Sequence, residues 1–162
     1  MGIRSFIKRK IEQKLSSGTV GPTSPPADTR PIPVGQDAEG YVAVLRESDL
    51  EVGHGRTVAI TDTSVAVFHL ATGFHAIDDA CTHEDAPLGE GVITGGEVLC
   101  PYHDWVFDIV TGACRTDPSR PVGCFATKVN DGFVWVGRRT TEGTQLRGGD
   151  HADGLATSEH AS

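Results

Sequence analysis

No apolar run in these 162 residues approaches the length of a membrane span, so no bilayer-crossing helix is expected. The first residues lack the uninterrupted apolar core of a secretion signal, because Lys8, Arg9 and Lys10 break it. Myristoylation after Met1-Gly2 requires Ser or Thr at position 6, where the chain has Phe6. A dinucleotide fingerprint begins at Gly89-Glu90-Gly91 but fails at Thr94, which stands where the third glycine belongs. There is no phosphate loop and no serine nucleophile elbow. Basic residues are also few. The formal net charge is -8, and residues 1–15 carry +4 of their own, leaving -12 on the rest. An acidic body argues against nucleic-acid binding and suits fast electrostatic docking to a basic protein.

What the chain has in quantity is glycine, 20 residues, together with short β-branched apolar runs. That composition predicts an all-β fold rich in turns. Residues 1–15 contain a basic amphipathic helix, with Ile3, Phe6, Ile7, Ile11 and Leu15 on one face. Through residues 3–15 it could contact an anionic membrane surface or a partner protein. Residues 16–38, rich in Ser, Gly and Pro, read as a flexible linker. The folded body spans 39–139, and 140–162 reads as a disordered tail. Within the body, strands are predicted at 41–45, 56–61, 65–70, 74–78, 97–99, 106–110, 124–129 and 133–137. Asn130-Asp131-Gly132 has residues suited to positive φ and predicts the turn of the last hairpin.

The stretch from Cys81 to Asp108 carries the chemistry. It contains Cys81-x-His83 and Cys100-x-x-His103, each offering one thiolate and one imidazole. Four such donors in two matched pairs could hold a single tetrahedral zinc in a zinc-stabilised binding module. They could equally hold a two-iron cluster. Cys114 and Cys124 are left over and read as buried free thiols. His54, His69 and His75 fall in turns or strands and read as surface or satisfied core histidines.

The spacing and the flanking residues together resemble the Rieske family. Thr82 lies between the first ligands, Pro87-Leu88-Gly89 follow, Pro101 succeeds the second Cys, and Phe107-Asp108 with Thr111-Gly112 close the stretch. The resemblance covers roughly residues 40 to 138. It implies an antiparallel β-sandwich or barrel with a two-loop cluster-binding subdomain. It also implies one [2Fe-2S] cluster per chain, with Cys81 and Cys100 on the inner iron and His83 and His103 on the outer. One departure is Asp104, where the family usually has glycine; Asp tolerates similar backbone conformations.

High-potential members of that family add a disulfide between the ligand loops and two hydroxyl donors to the cluster. Here Ala86 and Tyr102 stand at the disulfide positions, and Trp105 and Phe107 at the hydroxyl positions. The resemblance therefore implies a low-potential, cytoplasmic ferredoxin that carries electrons from a flavoprotein reductase to a terminal oxygenase. The chain also resembles the small Rieske subunit of NAD(P)H nitrite reductase, which would make it a subunit of an oxidoreductase.

Overall fold

The computed structural model describes residues 28–143. The expected helix at 3–15, and the parts of the linker and tail at 16–27 and 144–162, lie outside the described residues. Among the described residues nine strands follow in order: β1 (Val42–Arg46), β2 (His54–Ile60), β3 (Thr63–Leu70), β4 (Gly73–Asp78), β5 (Val92–Thr94), β6 (Glu97–Leu99), β7 (Val106–Asp108), β8 (Cys124–Asn130) and β9 (Phe133–Thr141). Six form one antiparallel sheet in the order β1-β9-β8-β4-β3-β2; β5-β6-β7 form a second, small one. The outer strands β1 and β2 approach each other, so the large sheet curls nearly into a barrel, as the all-β expectation required.

The strand β3 is the common wall of two cores. Val65, Ala66, Val67 and Phe68 are all fully buried. Side chains alternate across a strand. Val65 and Val67 thus enter the barrel core with Leu45, Leu50, Phe74, Val134 and Val136. Ala66 and Phe68 enter a second core with Ile77, Leu88, Val98, Phe107 and all four cysteines. Burial on both faces is why this segment reads as an unbroken apolar run.

Turn chemistry behaves as the sequence suggests at the final hairpin. Asn130 pairs with Phe133 across Asp131 (φ 52°) and Gly132 (φ 79°), the geometry of a two-residue turn. Two expectations shift. The strand expected over 106–110 stops at Asp108, because the Asp108 carboxylate accepts the N–H groups of Val110 and Thr111 and bends the chain away. The short strand β5, not anticipated, pairs with β6 across Gly95-Gly96.

The body also exceeds its expected limits of 39–139. Strand β9 runs on to Thr141, and the Arg139 guanidinium is paired with Asp78 and lies 4.7 Å from the centre of the Phe125 ring. On the other side, Arg30 bridges Asp28 and Asp131 and lies 5.0 Å from the centre of the Phe133 ring. Lys128 pairs with Asp37 and Glu39. Residues 28–38 are thus strapped onto the β8–β9 hairpin, which linker composition alone does not reveal. A fragment of residues 28–143 should melt several degrees above one of residues 39–139. Equal melting temperatures by circular dichroism would show the strap to be idle.

Candidate metal centre

Two loops rise from the second core. The first leaves β4 and returns through a 3-10 turn at Leu88–Glu90; the second joins β6 to β7. They are built alike. The Cys81 N–H donates to the Ala86 carbonyl at 2.9 Å, and the Cys100 N–H donates to the Trp105 carbonyl at 2.7 Å. In each case the acceptor is five residues on. Each loop also has an aspartate in the left-handed region four residues after its cysteine, Asp85 (φ 51°) and Asp104 (φ 56°). Asp104 therefore does adopt the conformation for which glycine is usual, since its short polar side chain tolerates positive φ.

The base of the first loop is fixed by a carboxylate. Asp79, 4% exposed, accepts hydrogen bonds from the Thr57 hydroxyl at 2.8 Å and from the Gly89 N–H at 2.9 Å. Its carbonyl takes the Leu88 N–H at 2.7 Å. One residue thus ties the entrance of the first loop to its exit. Gly89 permits the close approach: a Cβ there would lie 2.5 Å from the Thr57 nitrogen.

The four expected ligands fall as two close pairs, thiol beside thiol and imidazole beside imidazole. Cys81 and Cys100 are 1% and 2% exposed and face each other. His83 is half-buried and His103 exposed, with ring centres 4.8 Å apart. The thiols thus line the interior and the imidazoles face outward. His83 Nδ1 is buried without a hydrogen-bond partner, and a buried polar atom left unpaired is costly. Burial pushes the Cys81 thiol up, and Cys100 pushes it the same way, while the backbone N–H groups of His83 and Glu84 pull it down. A metal that replaces the proton would satisfy the sulfur and the orphan nitrogen together. The donor set therefore fits a cluster with sulfur ligands inside and nitrogen ligands outside.

Around these donors, Trp105 stacks on His83 at 4.8 Å and 21°. Phe107 is fully buried beside the thiols. Glu84 Oε2 lies 3.4 Å from His103 Nδ1. Tyr102 is 63% exposed at the tip of the second loop. Cys114 and Cys124 are free and buried in the same core; their sulfurs meet the Asp117 N–H and the Val110 carbonyl. His69 Nδ1 meets the Leu50 carbonyl at 2.7 Å, and His75 meets the Thr72 hydroxyl. Asp79 and Arg120 were not singled out in sequence. An acidic pair ending an apolar strand, Asp78-Asp79, hints at the first. Arg120 contacts Thr82, 38 residues away, and leaves no local signal.

Among known proteins, the family model for the Rieske [2Fe-2S] domain matches residues 40–126. Ferredoxin CarAc of Metapseudomonas resinovorans is 34% identical over 98 residues, covering 59% of this chain and 92% of its own length. A chain of the solved complex of reduced oxygenase and oxidized ferredoxin in carbazole 1,9a-dioxygenase is 31% identical. It aligns with a TM-score of 0.60 over 64% of this chain and 99% of its own. The putative NADH-dependent nitrite reductase small subunit from Mycobacterium tuberculosis aligns with a TM-score of 0.57 at 26% identity, over 63% of this chain and 97% of its own. Longer proteins match over a smaller share. The oxygenase component of dicamba O-demethylase from Stenotrophomonas maltophilia is covered over 30% of its length. With the motif, the two-loop fold and these relatives in agreement, the chain belongs to the Rieske [2Fe-2S] domain family and is an electron carrier built around such a cluster.

Proposed function

We propose that this protein is a low-potential Rieske ferredoxin, taking single electrons from a flavoprotein reductase and passing them to a terminal oxygenase. Cys81 and Cys100 would hold the inner iron, and His83 and His103 the outer. The observation that carries the reading is the sorting of the donors, buried thiols below and imidazoles reaching the surface. When bound, the cluster supplies reversible one-electron chemistry. The chain keeps water from the sulfurs with Phe107, Leu88 and Val98, and presents His103 beside the exposed Tyr102. Glu84, Asp85 and Asp104 give this tip an acidic rim, suited to a partner with basic residues around its own redox centre. The match to CarAc over nearly its whole length favours the ferredoxin role. A small subunit of a nitrite reductase is the second reading, supported by the fold match to one such protein. Co-purification with a large subunit would select it.

The potential tests the assignment. Donors to a cluster sulfur stabilise the reduced, more negative state, and Ala86, Trp105 and Phe107 bring no hydroxyl or disulfide to these positions. Asp104 disfavours the added charge further, whereas Asp108 is balanced by Arg115 at 2.9 Å. Protein-film voltammetry should place the wild type in the lower part of the Rieske range of roughly -150 to +300 mV. Phe107→Tyr should move it upward. A wild-type value near the top of that range would remove the basis for the ferredoxin role.

A further inference from the structure

Between Arg56 and Arg115 the chain contains no lysine or arginine, and this stretch includes both ligand loops. The same stretch carries Glu84, Asp85, Glu90, Asp104 and Asp108. The missing cation is supplied from elsewhere. In the connection between β7 and β8, Arg120 reaches back to the first loop. Its Nη1 donates to the Thr82 carbonyl at 3.4 Å, and its own carbonyl accepts the Thr82 hydroxyl at 3.0 Å. Thr82 is 4% exposed and sits between Cys81 and His83. The guanidinium carbon lies 5.8 Å from the centre of the Trp105 ring, and that ring stacks on His83. Arg115, the nearer arginine in sequence, is engaged by Glu97 and Asp108 at 2.7 and 2.9 Å. Arg120 is held more loosely, with Asp117 at 3.7 Å, and its side chain remains 41% exposed.

We propose that Arg120 is a positioning residue for electron transfer, clamping the first ligand loop through Thr82 and setting a fixed positive charge over the Trp105–His83 stack. The proposal rests on the ligand assignment above. Its two parts are separable in chemistry. A planar guanidinium can hydrogen-bond the loop and lie against an indole at once, which an ammonium does less well. The charge alone stabilises the added electron, whichever cation carries it. The position also matters for electron exchange, because a half-exposed cation beside the tip attracts anionic reagents and repels cationic ones.

The experiment uses the full chain, loaded with iron, as wild type, Arg120→Gln and Arg120→Lys. Potentials are measured by film voltammetry. Dithionite-reduced protein is then reoxidised by ferricyanide or by hexaammineruthenium(III), each taking one electron. Arg120→Gln should have a more negative potential than wild type. Its ratio of ferricyanide to hexaammineruthenium rates should fall by about threefold at low salt, a difference that shrinks as salt screens the charge. Arg120→Lys should keep the rate ratio and most of the potential. It should alter the tryptophan fluorescence, since it removes the guanidinium beside the Trp105 ring. An iron-loaded Arg120→Gln variant matching wild type in potential and rate ratio would overturn the proposal alone. Iron loss in both variants would overturn it too, by making Arg120 a folding residue. A wild type without iron would overturn this proposal and the ligand assignment together.

Discussion

Cys100→Ser should purify colourless and with almost none of the iron, about two atoms per chain, expected of the wild type. Cys81→Ser should do the same, while Cys114→Ser and Cys124→Ser keep their iron and colour. All four thiols are buried in one core, so exposure does not separate them. Their surroundings do. Cys81 and Cys100 face each other on the loops that also carry His83 and His103, whereas Cys114 receives the Asp117 N–H and Cys124 lies against the Val110 carbonyl. Serine is a harder donor that is protonated at neutral pH, and in a buried pocket it cannot replace a thiolate toward iron. Iron analysis and visible spectra of the four variants decide the ligand set. Retained iron in Cys100→Ser, or a wild type holding stoichiometric zinc without iron, would overturn the assignment.

Asp79→Ala should be the most damaging substitution outside the ligands. It leaves the buried Gly89 N–H, and the hydroxyl of Thr57 on the more open side, without their acceptor. Hydrogen bonds to a charged group contribute about 1.5–3 kcal/mol each, and stranding the buried donor adds a desolvation cost. A loss of about 3 kcal/mol, or a melting temperature lower by more than roughly 10 °C, is expected. Because the carboxylate closes the base of the first loop, iron retention should fall as well. Asp79→Asn keeps an acceptor oxygen and should cost less than half as much. An alanine variant melting within about 2 °C of wild type would show that the base of the loop is held by other contacts.

The fold class and the candidate site were legible for different reasons. The strands β3, β4, β8 and β9 announce themselves by β-branched runs and by Asp131-Gly132, which are local signals. The four donors announce themselves by spacing, since each pair is close in sequence and shares one loop. The strap through Arg30 escaped notice because Ser, Gly and Pro composition describes chain stiffness, and an ion pair 101 residues distant does not register in it. The extension of β9 escaped for the same reason, its anchor being Asp78 far upstream. Asp108 ended its strand by capping backbone N–H groups, which a run of apolar residues conceals. Arg120 belongs with these long-range cases.

The division of β3 between two cores bears on what losing the cofactor does. Val65 and Val67 pack in a barrel core that includes no residue of either ligand loop. Ala66 and Phe68 face the core that holds the thiols. Removal of the cluster is therefore expected to loosen the loops and spare the barrel, whose packing uses neither of them.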